Sequence, residues 1–259
     1  MDLGIAGRKA IVCASSRGLG RACAFALAQA GCEVVINGRD GKTLDATAAE
    51  LRQATGAKVT PAVGDVATPA GQAALLGACP EPDILVNNNG GPPFRDFREL
   101  TRQHIIDGVI ANMVVAIELI QKVIDPMRAK KFGRIVNITS GSVKMPLSGL
   151  DLSSGARAGL SAFLAGVARS VAASNVTINF LLPGTFETER LRSNMAGIAK
   201  NRGISIEQAR NERMATVPAK RFGTPAEFGA ACAFLCSAEA GYITGQNLLI
   251  DGGVFPGTM

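Results

Sequence analysis

Seven short apolar runs punctuate the chain, at residues 9–14, 33–37, 58–63, 83–87, 133–139, 176–182 and 246–250. In two of them, Ile84-Leu85-Val86 and Ile135-Val136-Asn137-Ile138, apolar and polar positions do not alternate, the pattern of a strand covered on both faces. Longer stretches with apolar residues at helical spacing lie between, at residues 18–30, 42–54, 101–128, 153–173 and 225–237. Strands that alternate with helices need crossover connections, and these build a parallel sheet with helices on both sides. The pattern therefore predicts an α/β fold, a single doubly wound domain over residues 1–259 with a mostly parallel seven-stranded sheet. No repeat or low-complexity segment interrupts it.

Composition narrows the class. A chain of 259 residues with 47% hydrophobic content can bury one sizeable core. No segment approaches the ~18 uninterrupted apolar residues that cross a bilayer, and the start, Met1-Asp2-Leu3-Gly4, has no basic region leading into an apolar one. The expectation is a soluble cytoplasmic protein with no membrane partner. Six cysteines (Cys13, Cys23, Cys32, Cys79, Cys232, Cys236) show no CxxC spacing and sit mostly in apolar segments, which suits buried thiols in a reducing compartment. The single histidine, His104, cannot build a metal cluster. The net charge of +6 is dispersed, with no run of five basic residues, so no nucleic-acid partner is expected.

Candidate chemistry begins directly after the first run. Cys13-Ala14-Ser15-Ser16-Arg17-Gly18-Leu19-Gly20 leads into a helix of small residues, and such a strand-to-helix turn lets backbone amides approach a pyrophosphate. The second run ends Asn37-Gly38-Arg39, where a site for NAD would place a carboxylate against the ribose diol. Arg39 and Arg17 instead offer two guanidinium forks suited to a 2′-phosphate, which favours NADP(H). The plainer alternative is that both are solvated surface residues.

With these residues in view, the chain resembles the short-chain dehydrogenase/reductases, nearest the 3-oxoacyl-acyl-carrier-protein reductase-like branch. The likeness rests on the glycine turn, Gly64-Asp65-Val66, Asn87-Asn88-Asn89-Gly90, Ile135 to Ser140, Pro183-Gly184 with Thr188, Tyr242 to Gln246, and Asp251-Gly252-Gly253. It implies a Rossmann-type fold. It also implies that Ser15, Ser16, Arg17, Gly18, Leu19 and Gly20 cradle the dinucleotide with Arg39, that Asp65 and Val66 meet the adenine, and that Asn88, Asn89 and Gly90 pass the adenosine ribose. Pro183, Gly184, Phe186 and Thr188 are expected to close over the nicotinamide. Two positions depart from the family pattern: Cys13-Ala14 stands for Thr-Gly, and Asn89 for an alanine.

The family's catalytic tetrad is asparagine, serine, tyrosine and lysine. Asn112 and Ser140 match the first two, but the last two fall on Ser153 and Arg157. An alkyl hydroxyl is a far weaker acid than a phenol and Ser153 is shorter by a ring, while Arg157 keeps a cation and a fork without readily passing a proton. Lys144, in the loop after Ser140, or a water held by Ser140 and Ser153 could supply the acid; the bland reading of Lys144 is a solvent-facing loop residue. The basic segment 186–222 reads as a lid over a small carbonyl or alcohol substrate, or as a solvated pair of helices. Apolar stretches such as 109–120 exceed what one sheet face needs and, with the family habit, imply a homo-oligomer, a dimer or tetramer. The alternative to an atypical reductase is an inactive NADP(H)-binding sensor or oligomerisation partner.

Overall fold

The computed structural model describes residues 2–91 and 94–257; Met1, Pro92, Pro93, Thr258 and Met259 lie outside the described residues. The valine- and isoleucine-rich runs form β1 (Lys9–Val12), β2 (Glu33–Gly38), β3 (Val59–Val63), β4 (Ile84–Asn87), β5 (Gly133–Ile138), β6 (Val176–Pro183) and β7 (Asn247–Ile250). They join in the order β3-β2-β1-β4-β5-β6-β7, and every neighbouring pair is parallel, so the sheet is wholly rather than mostly parallel. The chain reverses its direction of travel across the sheet between β1 and β4, and that switch opens a crevice at the carboxyl ends of the strands. The run 9–14 stops pairing at Val12 because Ala14 turns to a φ of 44°.

One face of the sheet is covered by α1 (Gly18–Gln29), α2 (Gly41–Thr55) and α9 (Pro225–Leu235), whose Leu27, Leu51 and Phe228 are wholly buried. The other carries α3 (Pro69–Ala78), α5 (Val115–Ala129) and α6 (Asp151–Val171), contributing Leu75, Val123 and Leu164. Helix α3 escapes apolar periodicity because its sequence is mostly small residues; its signal is the Thr68 cap, which accepts from Gly71 N–H, followed by Pro69. All six cysteines are buried and free.

The single helix expected over 101–128 is divided. It runs as α4 (Arg102–Val109), a π turn at Ile110–Val114, and α5. Among the described residues this stretch, Arg102–Ala129, is the one helical segment long and apolar enough to cross a membrane, with a mean hydropathy of 1.5 over 18 residues. Its second half instead packs Leu119, Ile120, Val123 and Met127 on the sheet, while Ile105, Ile106 and Ile110 stay exposed on the first half. Between β6 and α9, helices α7 (Glu189–Arg202) and α8 (Ile206–Ala215) share a small core of their own around Leu191, Met195 and Phe222.

Candidate functional site

The glycine turn is built for close approach. A Cβ at Gly20 would lie 2.5 Å from the Ala14 carbonyl oxygen and 2.8 Å from Asn88 Nδ2, so only glycine lets α1 start this near the loop. Asn88 Nδ2 donates to Ala14 O at 3.1 Å, stitching the end of β4 to the turn. No side chain caps α1; of the other helices only α5, which continues from the π turn, and α6, which carries Asp151 in its first turn, also lack one. The first amides and positive end of α1 are thus left for an external anion, the fit a pyrophosphate requires.

Ser15 does not face that anion. It is fully buried, its hydroxyl donates to Val12 O at 2.7 Å and accepts from Asn37 N–H, because the turn needs an internal anchor. Ser16, partly exposed, packs beside Gly38, and Arg17 and Arg39 are exposed on either side. Their present partners are loose: Arg17 meets Glu189 at 3.4 Å and Arg39 meets Asp65 at 3.9 Å. The neighbouring acid, Asp40, is committed elsewhere, since it caps α2 at Thr43 N–H (2.8 Å), and that hydrogen bonding holds its carboxyl below the usual range. Asp65 turns one oxygen to Ala67 N–H, while the Val66 side chain is buried in the core, so Val66 can meet a ligand only through its backbone. Leu19 packs against the core beside the turn, and Gly18 and Gly90 have open space above them.

The residues expected to carry chemistry gather on the carboxyl edge. Asn112 sits in the π turn, buried, with Nδ2 donating to Gly108 O at 3.0 Å and Oδ1 left without a partner. Ser140 stands just after β5 and accepts from Ser142 N–H. Ser153 and Arg157, one turn apart on α6, are both buried; Arg157 Nε donates to Ser153 Oγ at 3.2 Å and Nη1 to Ile138 O at 2.8 Å. Burial, with a smaller contribution from the Arg190 charge, pushes Arg157 down to about 10. Asn88, Asn89, Asn112 and Arg157 line one small cavity, so residues far apart in sequence share a floor at the end of β4 and β5. Asn89, the departure from the family pattern, ties Nδ2 to Ala111 O of the π turn.

The remaining expected residues sit as follows. Phe186 is a core residue, edge-on to Phe228 with ring centroids 5.2 Å apart, because its backbone bridges to Gly223 and turns the ring inward. Lys144 is half-buried on the turn after Ser140 and, like Ser140 and Ser153, lines neither cavity. Pro183 and Gly184 continue β6, where Gly184 N–H donates to Ile250 O, and the Thr188 hydroxyl caps α7. Part of the basic charge over 186–222 is paired: Arg202 with Glu212, Arg210 with Glu187, and Arg221 with Glu227 at the start of α9.

Two features went unread in the sequence. Asn87 donates to Asn137 Oδ1 (2.9 Å), Asn137 to Asn179 O (3.2 Å) and Asn179 to Ile243 O (2.7 Å), a ladder that ties β4, β5 and β6 together. An asparagine within each of these apolar runs was the available signal. The second is a larger cavity, about 230 Å³, that shares Ala111 and Asn112 with the first and extends past Arg95, His104 and Leu152.

The family model described as enoyl-(acyl carrier protein) reductase matches residues 13–255. Among curated proteins, the chain is 30% identical over 251 residues to an NADPH-dependent reductase, BacG, of Bacillus subtilis, covering 95% of this chain and 97% of that protein. It is 33% identical over 253 residues to a 3-oxoacyl-[acyl-carrier-protein] reductase, FabG, of Escherichia coli, covering 96% and 98%. Among solved structures, L-sorbose reductase of Gluconobacter frateurii complexed with NADPH and L-sorbose superposes with a TM-score of 0.94 at 28% identity, over 99% of this chain and all (100%) of that one.

Proposed function

Because the chain belongs to the short-chain dehydrogenase/reductase superfamily, as a member similar to the 3-oxoacyl-acyl-carrier-protein reductases, we propose that it interconverts a small carbonyl compound and its alcohol. It is an NADP(H)-dependent oxidoreductase. The observation that carries the reading is the shared floor of Asn88, Asn89, Asn112 and Arg157 beneath the switch-point crevice, next to a glycine turn shaped for a pyrophosphate.

A bound dinucleotide would supply or accept the hydride. Gly18, Gly20 and the first amides of α1 would hold its pyrophosphate, and Arg17, Ser16 and Arg39 the 2′-phosphate. Asp65 with the Val66 backbone would meet the adenine, Asn88 to Gly90 the ribose, and Pro183, Gly184 and Thr188 the nicotinamide side. Arg157 keeps a positive charge at that end and reaches the ribose hydroxyls with the donors not spent on Ser153 and Ile138. Ser140 polarises the substrate oxygen. The proton that the alkoxide needs comes from a water between Ser140 and Ser153, with Lys144 as the other donor, and Asn112 orders the surrounding π turn. Helices α7 and α8 form the lid over residues 186–222. An inactive binder is not favoured, because the relatives are named as reductases.

Ile105, Ile106 and Ile110, and Phe163 on α6, are large apolar side chains left exposed, and cover by a second copy would bury them, which supports a homo-oligomer. Six free buried thiols support a cytoplasmic location.

The test is NADPH oxidation across a panel of carbonyl compounds, with alcohols and NADP⁺ in reverse. Turnover is expected in the unmodified protein, and Ser153→Tyr with Arg157→Lys should raise it, since a positioned general acid contributes ~10²–10⁴-fold. Lys144→Met separates the two donors: unchanged turnover assigns the water, and loss without loss of NADPH affinity assigns the lysine. NADPH binding with no turnover on any substrate would refute the reductase reading.

A further inference from the structure

The larger cavity is chemically distinct from the floor beside it. Its walls are mainly apolar, with Leu100, Ala111 and Leu152 prominent, and it reaches Gly90 and Gly91 at the end of the crevice. Leu152 directly precedes Ser153, and Asn112 belongs to both cavities, so a molecule lying here abuts the proposed reaction site. Into this apolar space the fold places a guanidinium. Arg95 is half-buried and held from two sides: its backbone N–H donates to Gly149 O at 3.0 Å, and its Nη1 lies 2.9 Å from the His104 ring nitrogens. His104 is itself fixed, accepting from Thr101 N–H as half of the α4 capping box.

Among the described residues Arg95 forms no ion pair, although nine of the other arginines do. The one carboxylate on the wall, Asp107, is exposed and accepts from Gln103 at 2.8 Å. A second arginine, without an ion pair among the described residues, closes in from the lid: the Arg190 guanidinium lies 3.2 Å from the point a Gly91 Cβ would occupy. A guanidinium bears five N–H donors in a planar fork, so one contact to His104 leaves an open pair suited to a carboxylate.

We propose that the substrate of this site is a short organic acid, its carboxylate bound by Arg95 in the cavity beside Gly91 and its carbon chain lying on Leu100, Ala111 and Leu152. This rests on the reductase reading for the identity of the reacting group. A cavity of about 230 Å³ that opens beside Gly90 and Gly91 has room for a small oxo acid. Arg190 adds a second positive charge at the lid side of the same opening.

The experiment compares short 2-, 3- and 4-oxo acids with their methyl esters, by calorimetry on the NADPH-loaded protein and by NADPH oxidation. At least one acid should bind about tenfold or more tightly than its ester, the effect of one charge-assisted fork. Arg95→Met should collapse that ratio to about twofold while leaving the NADPH dissociation constant unchanged, and Arg95→Lys should retain part of it. Acids that bind no better than esters in the unmodified protein would overturn the proposal, as would a ratio that survives Arg95→Met. NADPH binding measured alone tests the cofactor reading separately, and if it fails, the same acid and ester titrations on the free protein still decide this one.

Discussion

Replacing Arg39 by Asp is the sharpest probe of cofactor choice. Arg39 is 82% exposed in its side chain and engages only Asp65, at 3.9 Å. An exposed pair of that kind is worth ~0–1 kcal/mol, so little opposes its turning to a phosphate. A guanidinium–phosphate contact contributes about 1.5–3 kcal/mol, and after the lost pair the net is roughly 1–2 kcal/mol, or ~5- to 30-fold in affinity. Aspartate at this position removes that attraction, repels the 2′-phosphate, and offers an acceptor to the ribose diol of NADH, so the NADPH-to-NADH affinity ratio should fall by about 100-fold and approach or cross unity. Fluorescence titration of both dinucleotides reads the ratio directly. Because the contact is exposed, the preference of the unmodified protein should also shrink between low and molar salt. Equal affinity for both dinucleotides before mutation, or a ratio that Arg39→Asp leaves within about twofold, would refute the reasoning.

Other perturbations follow from particular contacts. Gly20→Ala drives a Cβ to within 2.5 Å of Ala14 O and 2.8 Å of Asn88 Nδ2; urea unfolding should show a loss of ~1–3 kcal/mol, with NADPH binding lost as the turn is displaced. Ala14→Gly relieves a φ of 44° and should gain about 0.5–1 kcal/mol after the entropy of the glycine is counted, visible as a raised urea midpoint. Glu227 is held down to about 2 from 4.5, first by the Arg221 guanidinium and then by Thr224 N–H. A carboxyl lowered on folding stabilises fully above 4.5 and loses that contribution as pH falls toward 2. Glu227→Gln should therefore flatten the acid limb of stability in that window, and an unchanged limb would count against the cap.

Much of this protein could be read from the chain because the signals are local. Seven strands and the enclosing helices follow from short apolar runs alternating with stretches of helical periodicity, and the glycine turn and Arg39 follow from their place at the ends of β1 and β2. Ser153 and Arg157 stand one helical turn apart in any helix. What burial and long-range packing decide was closed to such reading. Whether Ser15, Val66 and Phe186 face a ligand or the core depends on which neighbours lie above them, and all three are buried. The π turn at Ile110–Val114 leaves little trace in periodicity, yet it aims Asn112 into the floor shared with Arg157. Arg95 and His104, nine residues apart, are brought within 2.9 Å by a loop pinned to Gly149. Spacing along a chain specifies which side chains share one element's face; which elements meet, and so which charges stay unpaired beside a cavity, is settled only when the core closes around them.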